Sequence, residues 1–360
     1  MPTPRRLLID QTETGYYHIH ARCVRQAFLC GGDFEHRRAW IEERARELAS
    51  IFAIDVCKFA ILTNHFHVIL RNQPDVAAGW SARELRNRWR KIFPGSALLV
   101  PMGGSSTSSP VDASGDHCPT SQLRKRLCDI SWFMRALCEY VARRANLEEG
   151  RKGRFWEGRF KSIRILDEEG LLQCSMYVDL NEVRAGIAET PETSTRSSVH
   201  NRILVRQMHE KRRGERSRAR SAQALIAHPN EVALRSSSAR RSFRSDEGGI
   251  WLVPIERASV NPRKPLSAVA RRRAGLFDMT LAQYMSLLDS FGRIIREGKG
   301  AIAAHLEPIL ERLRVDRDHL TAFLTRTRDL YGTVAGAATK VKKEALRRSQ
   351  GRAVSVTHIA

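Results

Sequence analysis

The sequence has no unbroken apolar run approaching the ~18 residues that a membrane span needs. It has seven cysteines, none of them paired at Cys-x-x-Cys spacing. That pattern argues against a zinc ribbon, and the odd count argues against a disulfide framework. Acidic residues are few for the number of bases: 39 Asp and Glu face 61 Lys and Arg, a net charge of +22. The imbalance excludes an acidic solvating scaffold. It points to an acidic partner, nucleic acid first and an anionic membrane surface second. The opening MPTPRRLLIDQ has two arginines and no apolar stretch, so no signal peptide is expected. What remains is ordinary for a folded, soluble chain: 360 residues, 42% hydrophobic and 28% charged, enough for one large or two ordinary domains.

The charge is unevenly spread. Arg196–Arg273 holds 19 Lys and Arg against 6 Asp and Glu, more than half of the net excess. This stretch reads as a basic linker, or as an arm that follows a phosphate backbone. Pro101–Gln122 is rich in Gly, Ser and Pro and reads as a mobile loop. Between these breaks the patterning is mixed. Strands are predicted over Tyr16–Val24, Ile54–Leu62, His65–Arg71 and Phe160–Leu166, with Thr63-Asn64 turning a hairpin. Helices are predicted over Phe34–Phe52, Ser81–Phe93 and Ser121–Asn146, and from an Asp167 N-cap to a stop at Gly186. The order β-α-β-β-α-α-β-α predicts an α+β fold, a central antiparallel sheet flanked by helices. A separate small helical unit is expected over about Leu276–Ala337, followed by a basic tail.

His65-Phe66-His67 lies on the third predicted strand. Side chains alternate along a strand, so both imidazoles face one way while Phe66, Val68 and Leu70 face the core. Two such rings can chelate a divalent ion. Alone the motif is weak, since 12 histidines in this length give about 0.4 such matches by chance. A second, His18-Ile19-His20, is also present. The helix after Asp167 adds Tyr177, Asn181 and Arg184 at spacings that share one helical face.

Together these residues make a coherent phosphodiester site. An ion held by His65, His67 and the amide oxygen of Asn181 could polarise a phosphate, and this nitrogen-and-oxygen donor set suits Mg²⁺ or Mn²⁺. Arg184 could neutralise charge on the phosphate. A phenol ionises near ~10 and needs such help to attack at neutral pH. Attack by Tyr177 would leave a covalent phosphotyrosine. In GRFWEGRFKS, Arg154, Arg159 and Lys161 alternate with Trp156 and two phenylalanines, a pattern suited to single-stranded DNA.

TNHFHVIL (Thr63–Leu70), GRFWEGRFKS (Gly153–Ser162) and YVDLNEVRAGI (Tyr177–Ile187) resemble the single-tyrosine HUH transposases, and within them the REP-associated, insertion-sequence-200-like branch. YYHIHARC resembles the family's first strand. The resemblance spans about residues 10–190. It implies an HUH, ferredoxin-like catalytic domain there, containing the 101–122 loop. Beyond the resemblance, charge and patterning give a basic linker or arm over 191–275, a helical C-terminal domain over 276–337 and a basic tail over 338–360. The resemblance further implies His65 and His67 as the metal pair, Asn181 as third ligand and Tyr177 as nucleophile. DNA contacts are expected from Arg184, Arg154, Arg159, Lys161 and Trp156. The implied activity is cleavage and rejoining of hairpin-bearing single-stranded DNA through a 5′-phosphotyrosine, by a monomer or homodimer. The implied location is cytoplasmic, with the prokaryotic nucleoid and without a membrane partner. His18 and His20 fall outside the matched metal motif. Two departures stand out: Glu182 where the family usually has Pro, and Leu62-Thr63 where it commonly has Met-Pro.

The rival reading is a non-catalytic DNA-binding regulator that uses the basic region and the C-terminal helices. An RNA-binding protein is a third, without a recognisable module. The charge excess serves all three. The Tyr177, Asn181, His65 and His67 set discriminates, because a plain binder has no use for it.

Overall fold

Alternation of small or apolar with polar residues sets the frame. The computed structural model describes residues 8–94, 120–226, 251–257, 275–295, 297–312 and 334–335. Four strands form an antiparallel sheet: β1 (Gly15–Arg22), β2 (Ile54–Ile61), β3 (His65–Asn72) and β4 (Lys161–Ile165), in the order β2-β3-β1-β4. The two-residue β5 (Val334–Ala335) adds to the β4 edge in parallel. The helices are α1 (His36–Ile51), α2 (Pro74–Ala78), α3 (Ala82–Ile92), α4 (Thr120–Leu127), α5 (Ile130–Glu148), α6 (Glu168–Asp179), α7 (Asn181–Arg184), α8 (Ser198–Ile226), α9 (Leu281–Gly292) and α10 (Ile309–Arg312). The fold is the expected α+β class.

The period of two divides the sheet residues between two cores. Tyr17, Ile19, Ala21, Phe59, Ile61, Phe66, Val68 and Leu70 join one core with residues of α1, α3, α4 and α5. Cys57, Ala60, Ile69 and Ile165 join the other, with α6, α8 and α9. Both sheet faces are thus covered. A register shift between Val56 and Lys58 bulges β2 and sets Lys58 opposite Ile69, on the α6 face.

There Lys58 Nζ donates to Asp179 Oδ2 at 2.7 Å, and Tyr284 Oη donates to the same oxygen at 2.6 Å. Ser198 Oγ donates to the other oxygen. All four residues are buried. Burial pulls Lys58 down to about 8 against the attraction of Asp179. The cluster knots β2, α6, α8 and α9 together at one carboxylate.

Helix ends follow their caps. Ser81, Asp167 and Thr280 each accept a backbone N–H in the first turn, and Gln283 completes a capping box with Thr280. Gly186 takes φ +69°, the left-handed conformation that ends α7 at little cost. Two long predicted helices are each broken. The 121–146 run divides at Cys128-Asp129, where Asp129 caps α5 by accepting from Ser131. The run from Asp167 to Gly186 divides at Leu180, whose φ −91° and ψ 1° leave the helical range.

The segment expected as a linker is folded in part. Within 191–275, Ser198–Ile226 is one helix, and Val199, Arg202 and Ile203 are buried. Trp251 stacks on Phe59 with centroids 5.5 Å apart, while Leu252, Val253 and Ile255 are buried. Nor is the C-terminal helical segment separate: Tyr284, Met285, Leu288 and Ile309 share the core of α6. The 101–122 loop lies outside the described residues except for its last three, which open α4. The 338–360 tail lies wholly outside them. The six described cysteines are free. No helix among the described residues is long and apolar enough to cross a membrane.

Candidate active site on the histidine face

Register carries the candidate site residues to one place. His20 lies opposite His67 on one side and Lys161 on the other, and Arg22 lies opposite His65. Facing residues in a ladder share a side of the sheet. Lys161, His20 and His67 therefore form a row across β4, β1 and β3, with His18, His65 and Arg22 beside it. Leu171, Leu172, Met176 and Val178 anchor α6 over this face, and Tyr177 stands at its rim, half-buried. The Tyr177 ring meets His67 edge-on at 5.4 Å between centroids, and His18 at 5.7 Å. His65 and His67 are 5.1 Å apart, centre to centre.

Tyr177 and His67, expected together from the chemistry of a phosphodiester site and the family resemblance, are thus adjacent. His18 and His20, set aside in the sequence, belong to the same cluster: the His18 and His67 rings stack at 5.1 Å, and His20 and His67 lie 5.4 Å apart. The signal that would have found them is strand pairing, which converts two separate His-x-His motifs into one patch.

Hydrogen bonds orient the two candidate ligands. Asn64 Nδ2 donates to the Gln26 carbonyl at 3.0 Å, which turns its oxygen toward His65 Nδ1 at 2.6 Å. His65 therefore donates from Nδ1 and keeps its lone pair on Nε2. His67 Nδ1 lies 3.0 Å from His18 Nε2. Burial, reinforced by neighbouring positive charge, holds the imidazoles neutral: His18 near about 3, His20 and His65 near about 4, and His67 well below the ordinary histidine value. Neutral rings with Nδ1 engaged by a partner, as in His65 and His67, are the form in which histidines ligate a metal. Among the described residues no cage of three or more His, Cys, Asp or Glu forms. Two neutral imidazoles have the chemistry of a divalent-ion site whose remaining positions are filled by oxygen donors, and Asn181 is buried at the start of α7.

Two expected DNA contacts are otherwise engaged. Arg184 donates to three carbonyls, those of Ile294 (2.7 Å), Gly300 (3.0 Å) and Phe291 (2.6 Å). Its guanidinium ties α7 to the end of α9 and to the chain beyond it. Trp156 donates from Nε1 to the Cys138 carbonyl at 2.9 Å and packs on Phe66 and Phe155, so it lines the core instead of offering a stacking face. Arg154, Arg159 and Lys161 are exposed, as a phosphate contact requires.

Arg22 was not anticipated. It faces His65, its positive charge adds to burial in lowering that histidine, and its Nε is buried without a hydrogen-bond partner among the described residues. Glu182, at the family's usual proline, is buried against Arg38, whose Nε donates to the Ile61 carbonyl at 2.7 Å. That pair fastens α7 to α1 and to the end of β2.

These features define an α+β protein with a histidine-lined sheet face and a tyrosine at its edge. No family model matches the chain, and no curated protein matches it. Among solved structures, the chain is similar to a REP-associated tyrosine transposase bound to a REP hairpin. Identity is 15% and the TM-score 0.32, over 56% of this chain and 84% of that one. A superposition that loose adds nothing to what the site geometry argues.

Proposed function

We propose that this chain is a metal-dependent DNA strand transferase of the single-tyrosine HUH type, acting on single-stranded DNA, hairpin-bearing by the family resemblance. One observation carries the reading: the Tyr177 ring stands 5.4 Å from His67, whose strand neighbour His65 presents a second neutral imidazole to the same space. His65, His67 and Asn181 would hold Mg²⁺ or Mn²⁺, which when bound polarises the scissile phosphate. Tyr177 Oη forms the new bond to phosphorus and gives up its proton. The bond from phosphorus to the 3′ oxygen breaks, and that oxygen leaves as a hydroxyl after taking a proton. The 5′ phosphate stays on the tyrosine. A strand hydroxyl reverses the step and rejoins DNA without a nucleotide cofactor. Arg22 and Lys161, on the same face, supply the positive charge toward the phosphate that spacing had assigned to Arg184. Arg154 and Arg159 extend the basic track.

The test is incubation of the full chain with labelled hairpin-bearing single strands and Mn²⁺, followed by denaturing electrophoresis. Wild type is expected to yield a protein-linked band that maps to Tyr177. Tyr177→Phe is expected to bind the strands within about 3-fold of wild type, since the ring stays and only the hydroxyl goes, and to form no band. A band of normal intensity from that variant would remove Tyr177 from the role. DNA binding by wild type with no band under any metal would favour the non-catalytic regulator.

A further inference from the structure

We infer that His18 is a positioning residue that sets His67 in the tautomer able to ligate the ion. The inference rests on the metal reading above and deepens it. His18 Nε2 and His67 Nδ1 are 3.0 Å apart and both side chains are buried, so water has little access to compete for the bond. Two neutral imidazoles joined through one nitrogen each share a single hydrogen, which leaves two arrangements. In one, His18 donates from Nε2; the His67 hydrogen then sits on Nε2 and blocks its lone pair. In the other, His67 donates from Nδ1 to His18, and its Nε2 keeps a free pair. Only the second supports a ligand.

His65 solves the same problem differently, through the oriented amide of Asn64 at 2.6 Å. The two candidate ligands thus have separate supports, one from the β2–β3 turn and one from the neighbouring strand. Outer partners of this kind fix ring orientation and ligand basicity, and their loss costs about 10–100-fold in metal affinity. His18 sits opposite Ile69 on β1, which pairs with β3 along its whole length, so the support is as rigid as the ladder itself.

The experiment is a titration of the full chain with Mn²⁺ alone, read by the EPR signal of the free aquo ion, with thermal unfolding as the fold check. Wild type is expected to bind, and His65→Ala to lose binding. His18→Phe keeps the ring shape without an acceptor and is expected to bind about 10–100-fold more weakly. His18→Gln, whose amide oxygen accepts, is expected to recover to within about 5-fold of wild type. Pulsed EPR should count the same number of coupled nitrogens in wild type and His18→Gln. Normal affinity in a folded His18→Phe, with His65→Ala still defective, overturns this inference alone. One nitrogen fewer in His18→Gln would make His18 a ligand and overturns it too. Absence of Mn²⁺ binding in wild type overturns the metal reading and this inference together. If His18→Phe does not fold, ¹⁵N NMR of wild type with Mg²⁺ decides: His67 protonated on Nδ1 supports the inference, and on Nε2 overturns it.

Discussion

At the scale of single residues, two arginines have surroundings that their sequence positions do not suggest. Arg184 lies seven residues after the tyrosine and reads as its phosphate partner, yet three carbonyls take its guanidinium. Arg22 reads as an ordinary strand end, yet it faces His65 with a buried Nε that has no hydrogen-bond partner among the described residues. A preorganised donor at developing phosphate charge contributes about 10²–10³ in rate. Arg22→Gln is therefore expected to slow single-turnover cleavage about 100-fold with little change in thermal midpoint. Arg184→Ala should do the reverse, leaving the rate of the folded fraction within about 3-fold while lowering the midpoint, because charge-assisted bonds to buried carbonyls hold structure. Stopped time courses beside melting curves separate the two, and equal rate losses would contradict the assignment. The histidine pair and the tyrosine stood out because each lies in a short motif, and the family resemblance joined the motifs. Arg22 and His18 were not, because their relevance depends on which strand lies beside which, and no local pattern encodes that pairing.

At the scale of elements, β1 and β3 together bury imidazoles that an unfolded chain would leave free to protonate. Folded values near about 3 for His18 and about 4 for His20 and His65 lie below the unfolded value of about 6.5. Between those limits the unfolded chain binds protons that the folded chain does not. The stability these groups contribute is present above about pH 6.5 and is lost as pH falls toward 4, by about 1.4 kcal/mol per pH unit for each proton of difference. Urea unfolding of the metal-free chain should show a midpoint that drops steeply from pH 7 to pH 5. His20→Gln removes one such proton and should flatten the drop, while carboxylate contributions stay common to both proteins. Parallel curves for the two would mean that His20 is solvated in the folded state. The strands themselves were readable from alternation, and the cap at Asp167 from its residue type. The breaks at Asp129 and Leu180 were not, because apolar spacing continues across both and only the cap geometry reveals a new helix.

At the scale of the whole molecule, described parts of the basic stretch and of the C-terminal segment share the core beneath the site. Gly300 approaches the Val183 carbonyl so closely that any Cβ would collide with it, and its N–H donates to the Arg184 carbonyl at 3.2 Å. Lys299 thereby comes near enough to His65 to help lower it. The helical region beyond residue 198 was hidden in the sequence because seven arginines and Lys211 are spread along it and break up its apolar pattern, and burial of Val199, Arg202 and Ile203 anchors only its first turns. Past that anchor, α8 carries Lys211, Arg212, Arg213 and Arg216, all exposed on a helix rather than on a slack linker. A rigid basic rod adds phosphate contacts at fixed spacing, and each contact with a single strand contributes about 0.7 to the slope of log affinity against log salt. Replacing these four side chains with Gln is expected to reduce that slope by up to about 3 and to weaken binding to all strands alike, while the rate of adduct formation at saturating DNA stays unchanged. Fluorescence anisotropy across a salt series gives the slope, and the denaturing gel gives the rate. An unaltered slope would remove the rod from the DNA interface and confine recognition to the sheet face around Lys161, Arg154 and Arg159. A lost rate at an unaltered slope would instead mean that the helix supports the site through its anchored first turns.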